Sequence, residues 1–581
     1  MCRSLILFVF ITSSFAQNLI TDYEKSGYKK TPRYAETIEY CKKLANASPF
    51  IRYTNFGVSP QGRDLPLLIV DKNARFTSTD VRKTDNVVFM IQAGIHSGEI
   101  DGKDAGFMLL RDIINNKDLF DLIDHVTILF IPIFNVDGHE RFSAYNRANQ
   151  NGPEEMGWRV TAQNYNLNRD YLKADAPEMQ AWLKLYNEWL PEFFADCHVT
   201  DGADYQYTIS YDIDRHGILD PELVTWVKNS FIPSLKTSMA NDNFPLIEYV
   251  WLKERNRIEN GMITWAAPPR FSNGYCAIQN RPGLLIETHM FKDYKSRVDA
   301  TYAILKHTLE ILNQQYQNLR SKIALVDKQT GRPNFRIKSL ALTYKLTDLP
   351  DYIDFLGYEY NVIKSDLTGG DWFRYHDDRP KTYRIPFFNN MEAVIKVQLP
   401  DAYIVPAEWT EVIERIKTHG IKYLILKDEK ELLISTYKFS NPKWSSTPYE
   451  GHQTVEFDLT PVELRRTFLP GSIVIDMNQR AAKVVANILE PQAPDSYVYW
   501  GFFNTIFERK EYVESYVMEE RARMMLAGNP ELKHEFDTKM QNDTSFANHP
   551  SNILRWFYEK SPYWDEYKDI YPVGRIFKQS E

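Results

Sequence analysis

The apolar positions of this chain gather into short unbroken runs. Asn86-Val-Val-Phe-Met-Ile-Gln-Ala-Gly94 is one, ended by glycine, and Val126 to Phe134 is a second, broken by Pro132 and closed by the polar turn Asn135-Val-Asp-Gly138. Phe193 to Cys197 and Leu284 to Ile286 are two shorter ones. Runs with no polar face are the pattern of strands buried on both sides, as in a parallel sheet. Between them the period changes. From Gly98 to Ile114, Ala105, Met108, Leu109 and Ile113 are spaced like a helix face, and a long helix suits Arg297 to Leu319. Strand alternating with helix over about Thr21 to Asn318 predicts an α/β fold: a mixed, mostly parallel twisted sheet with helices on both faces.

Val326-Asp-Lys-Gln-Thr-Gly-Arg-Pro-Asn334 is polar and turn-rich, and it marks a boundary between a unit at residues 17–325 and a C-terminal one at 335–581. In the second unit Tyr383 to Val397 reads as strand. Glu408 to His419, stopped by Gly420 and followed by Ile421-Lys-Tyr-Leu-Ile-Leu426, reads as helix then strand. From about Gln492 the chain reads as helical and is rich in tyrosine and tryptophan. This unit is expected to be α/β or α+β. Nothing in it has ligand or nucleophile spacing, so its role is open.

Composition narrows the picture. At 581 residues one ordinary core is too small for the chain, which agrees with two units. A formal charge of -8 argues against a nucleic-acid or anionic-membrane partner, either of which would favour a basic face. Met1-Cys2-Arg3, the apolar run Leu5 to Ile11 and the small residues around Ser14-Phe15-Ala16 form the pattern of a signal peptide at residues 1–16. Export, to the periplasm or outside the cell, is therefore expected. No later segment is long enough to span a membrane, so the mature chain is expected to be soluble. Cys41, Cys197 and Cys276 then remain: one bridge at most, and no disulfide framework.

Candidate chemistry lies at the ends of the apolar runs. His96-Ser-Gly-Glu99 follows the first run directly, where a turn lets an imidazole and a carboxylate converge on one point. Those donors suit zinc, and a catalytic zinc needs three protein ligands with one position open. His307-Thr-Leu-Glu310 has the same spacing but lies mid-helix, where a surface pair is the simpler reading. His198 emerges from the run Phe193-Phe-Ala-Asp-Cys and is the candidate third ligand; alone, it would read as a hydrogen-bonded rim histidine. Glu287 ends Leu284-Leu-Ile. Burying a lone carboxylate is costly, so it is either functional or held in a salt bridge.

These four residues in this order, with Trp158-Arg159 and Asn166-Leu-Asn-Arg-Asp170, resemble the zinc carboxypeptidase family over about Thr21 to Asn318. Asn135-Val-Asp-Gly138 is similar to that family's Asn-Pro-Asp-Gly turn. The resemblance implies one zinc per chain on His96, Glu99 and His198, with Glu287 as general base. It implies that Arg159 stabilises the oxyanion, and that Asn168 and Arg169 hold the carboxylate of a peptide substrate with a free C-terminus. The digestive members carry an arginine between the first two ligands; Gly98 stands here. An aspartate that supports a zinc histidine is replaced by Asn166, so that contact is weakened, or Asp170 provides it instead. The family's mobile tyrosine has no clear counterpart, Tyr275 being nearest in sequence.

Rival readings have less behind them. Gly-x-Ser-x-Gly is absent, which disfavours a serine hydrolase of that type, and so is His-Glu-x-x-His. An inactive binding relative would not need the ligands, the base and both arginines together. A zinc amidase or deacylase, acting on cell-wall peptides or acyl-amino acids, shares the scaffold and stays open.

Overall fold

The computed structural model describes residues 19–577; the expected leader lies outside them. An eight-stranded sheet forms the centre, in the order Ile51–Val58, Asp64–Val70, Val126–Ile131, Val87–Gln92, Phe193–Thr200, Gly283–His289, Ile209–Ile213, Ile247–Glu248. Its four middle strands run parallel to one another, and the flanking pairs are mixed. Every residue of those four strands is buried, the physical cause of the unbroken apolar runs.

Successive side chains leave a strand on opposite faces, and here they enter two cores. Phe89 and Ile91 pack with the helices Asp101–Asn115 and Tyr294–Thr330. Val88 and Met90 pack toward the helix Pro177–Trp189. Gly102 lets the first of these helices lie against the sheet: a Cβ there would stand 2.4 Å from the Cβ of Cys197. Cys41, Cys197 and Cys276 are all free and buried.

The long helix runs to Thr330, past the expected Leu319 end and into the expected linker. Beyond it, the C-terminal region resolves to α+β. A six-stranded antiparallel sheet is accompanied by helices, among them Thr410–Thr418, Ala482–Leu489, Ser515–Gly528 and Pro530–Asn542. Two long hairpins stand out, Asp351–Lys364 with Asp371–Phe388 and Lys430–Trp444 with Val455–Phe468. The strand expected at Tyr383 to Val397 is the end of the first hairpin followed by two short strands, and the strand expected at Ile421 to Leu426 is only Leu424–Ile425. This region does not stand apart. Tyr403, Val412, Ile416, Val485 and Tyr497 belong to the same hydrophobic core as Met90 and Phe194 of the central sheet and Trp182 of the helix Pro177–Trp189. Among the described residues no helix is long and apolar enough to cross a membrane.

Candidate active site

The carboxyl ends of the parallel strands share one edge of the sheet, where open α/β sheets hold their ligands. His96 and Glu99 lie in the turn between the strand Val87–Gln92 and the helix Asp101–Asn115. His198 is near the end of the next strand. Glu287 faces it in register across the following one. Behind them, Thr288 donates to Asp101 at 2.5 Å, and Asp101 pairs with the buried Arg297 at 3.0 Å. This bond fastens the start of the helix to the strand that carries Glu287.

Both histidines aim the same atom at the same place. His96 Nδ1 lies 3.1 Å and His198 Nδ1 3.0 Å from Glu99 Oε2, and the donor atoms of the three residues lie within 4.8 Å of one another. Each outer nitrogen has its own neighbour: His96 Nε2 is 3.1 Å from Asn166 Oδ1, and His198 Nε2 is 2.9 Å from Asp196. Two imidazole nitrogens and a carboxylate, each histidine backed by an acceptor that leaves Nδ1 facing inward, fit a zinc ion. Burial lowers His96 to about 4 against the pull of Glu99, so it is neutral, the form a metal requires. Burial works the same way on His198, but Asp196 and Glu99 override it and raise its pKa well above the usual value. A metal and that proton compete for one site. Glu99 is held well below the carboxylate range, against its burial, by His96 and Arg147. Burial lifts Glu287 to about 8, with His198 pulling it down and Glu99 pushing it up.

The four residues line a cavity of about 570 Å³, a usual size for a small-ligand cleft. Arg159, Asn168 and Arg169 line it too, with an aromatic wall of Trp158, Trp251, Trp265 and Phe271. Arg159 Nη1 lies 3.1 Å from Glu99 Oε1. Asn168 is buried, and its side-chain oxygen has no hydrogen-bond partner among the described residues. The Arg169 guanidinium lies 4.3 Å above the Phe271 ring and donates to the Asn168 carbonyl at 2.7 Å.

Three sequence expectations meet a different arrangement. Asn166 takes the histidine contact itself, and because the Asn168 amide donates to the same Oδ1 at 3.1 Å, that oxygen is the atom presented to His96. Asp170 points away, to Lys173 and to the amides of Asp175 and Ala176. Tyr275 is fully buried outside the cavity, its hydroxyl 2.9 Å from His419; the tyrosine in the cavity is Tyr249. Burial and then the charge of Glu287 raise the pKa of Tyr249. Sequence reading also missed Arg147. Its side chain crosses the space above Gly98, where a Cβ would meet its Cδ at 2.4 Å, and its guanidinium reaches Glu99 Oε1 at 2.6 Å. A cation from another loop thus comes to lie beside the two ligands, and the only sequence signal for it is the glycine that makes room.

Residues 37–267 match the sequence model of the zinc carboxypeptidase family. Carboxypeptidase 2 of Trichophyton rubrum is 21% identical over 490 residues, 81% of this chain and 84% of that protein. Carboxypeptidase 2 of Trichophyton equinum is 21% identical over 487 residues, with the same shares covered. At 490 residues the first alignment is too long to stop at residue 325, so it takes in part of the C-terminal region. Among solved structures, carboxypeptidase A from Helicoverpa armigera overlays with a TM-score of 0.35 and 16% identity, covering 51% of this chain and 74% of that one.

Proposed function

Taking this chain as a member of the zinc carboxypeptidase family, and so a hydrolase, we propose that it is a zinc-dependent exopeptidase releasing single residues from the C-terminus of peptides. The observation that carries the reading is the convergence of His96 Nδ1 and His198 Nδ1 on Glu99, with Glu287 in register beside His198 on one cavity. His96, Glu99 and His198 would hold the metal, which supplies Lewis acidity to the scissile carbonyl and to a water.

Glu287 takes the proton of the attacking water and passes it to the leaving amine. Its place near the end of the strand Gly283–His289 leaves the carboxylate on the cavity wall. Arg159 is a permanent cation where the oxyanion develops. Arg169 offers a planar fork to the terminal carboxylate, and stacking on Phe271 fixes its plane. Asn168 adds its amide.

A peptide held by its terminal carboxylate presents its last amide bond to the metal-binding residues, and an internal bond has no such anchor. Matched peptides, free acid and C-terminally amidated, followed by mass spectrometry, test this. The free acid is expected to lose single terminal residues and the amide to resist. A charge-assisted contact of this kind contributes roughly 1.5–3 kcal/mol. Arg169→Met is therefore expected to cost free-acid peptides about ten- to a hundredfold in kcat/KM. Equal cleavage of both peptides, or internal fragments, would overturn the exopeptidase reading. Hydrolysis of acyl-amino acids without peptide trimming would favour a deacylase.

A further inference from the structure

The loop that bears Asn168 and Arg169 is held from outside the catalytic sheet. Behind Arg169, the buried Asp170 accepts from Lys173 Nζ at 2.6 Å, and the same ammonium reaches Asp175 at 2.7 Å. The other ends of this chain of charges belong to the C-terminal region. Arg415 pairs with Asp175 at 2.9 Å and donates through Nε to the Lys173 carbonyl at 2.8 Å. His452, at the turn of the second long hairpin, meets Asp175 at 2.8 Å. The Leu172 carbonyl accepts from His419 Nε2 at 2.8 Å and from the Tyr497 hydroxyl at 3.2 Å. Between Leu172 and Asp175, every polar contact just named to residues beyond 400 is a buried or partly buried one.

The second support of Arg169 is held likewise. Phe271, the ring under its guanidinium, follows Arg270, whose backbone amide donates to Asp495 at 2.7 Å and whose side chain lies 2.6 Å from the same carboxylate. Asp495 is fully buried. So both the backbone that carries the arginine and the ring that orients it end on residues 410–500.

We propose that residues 410–500 are a positioning element of the active site, which sets its preference for a terminal carboxylate by fixing Arg169 from two sides. The proposal rests on the reading that Arg169 grips that carboxylate. Arg415, His452 and Asp495 touch no substrate in this scheme. They act through Asp175 and Arg270, and their effect belongs in KM for substrates that carry the carboxylate.

The test uses the full chain and the matched free-acid and amidated peptides. Arg415→Met is expected to raise KM for the free acid about tenfold with little change in kcat, since displacing a binding group by an ångström costs up to about a hundredfold. The amide, which offers nothing to the fork, is expected to keep its kcat/KM. Should Arg415→Met not fold, His452→Asn, at a partly exposed edge, carries the same test. Arg575→Met is the control. It breaks another ion pair of the C-terminal region, to the buried Glu490 at 3.1 Å, whose other partners are Tyr403 and Tyr437 rather than Asp175 or Arg270, and is expected to lower the melting temperature with KM unchanged. An unchanged free-acid preference in both Arg415→Met and His452→Asn, or an equal KM rise in Arg575→Met, would sink the proposal and leave the exopeptidase reading standing. Loss of the preference in the unmutated enzyme would remove both.

Discussion

Two places in this chain carry a glutamate three residues after a histidine, and the closer pair is not the proposed site. His307 Nδ1 lies 2.6 Å from Glu310, against 3.1 Å for His96 and Glu99. Context separates them. His307 sits mid-helix with a second carboxylate, Asp242, 2.8 Å from its other nitrogen. Burial works against its charge, but the two carboxylates override it and raise its pKa, and both ring nitrogens are already taken by ion pairs with no third donor at hand among the described residues. His96 is buried against a neutral amide oxygen and is lowered to about 4. The helix pair meets one carboxylate from elsewhere and lines no cavity shared with a base, whereas the strand edge brings together His96, His198 and Glu287, which are far apart in the chain, on one cavity. Among the described residues only His96, Glu99 and His198 gather three donors of this kind within 4.8 Å.

The comparison breaks most visibly in turnover. Glu287→Gln is expected to fold, to keep its metal and to lose about a hundred- to ten-thousandfold in kcat, the usual cost of removing a general base. Glu310→Gln is expected to change nothing in the same assay. Activity of Glu287→Gln within a few-fold of the parent would make Glu287 a structural carboxylate.

Metal content is the next reading. Elemental analysis of the purified chain is expected to find near-stoichiometric zinc, falling sharply in His96→Ala and His198→Ala and staying whole in His307→Ala. Full zinc in the first two variants, or loss in the third, would reverse the assignment.

What the sequence allows one to read follows from the same physics. The four middle strands were legible because burial on both faces leaves no polar position, and the site residues because they interrupt or end those runs. The long hairpins were not. Asp351–Lys364 is largely exposed, with only Phe355 and Gly357 buried, so no apolar run or clean alternation announces it. The short strands Trp251–Leu252 and Met262–Ile263 pair with each other, and the latter also pairs with Phe387–Phe388, a register no local pattern encodes. Arg147, Tyr249 and the Asp175–Arg415 pair were missed for a related reason: each depends on segments distant in sequence meeting across the fold. Tyr275 was chosen by nearness along the chain, and its ring is spent in the core against Trp182 and Tyr186.

The smallest expected effect concerns the pair that is not the site. Because Glu310 and Asp242 raise the folded pKa of His307 above its unfolded value, its charged contacts stabilise the fold fully below the unfolded pKa. That contribution is lost as pH rises through the folded pKa. Asp242 is 41% and Glu310 27% exposed, so solvent screening keeps it under about 1 kcal/mol. His307→Gln, which keeps hydrogen-bonding ability but no charge, is therefore expected to melt slightly below the parent near about pH 5 and together with it near about pH 9. Zinc content and turnover should be unaffected at either pH. Lys306, the neighbouring cation on the helix, works against the charged imidazole, so Lys306→Gln in the parent should widen the low-pH gap. A gap that grows toward high pH, or one accompanied by lost zinc, would mean that His307 acts as something other than a surface ion-pair partner.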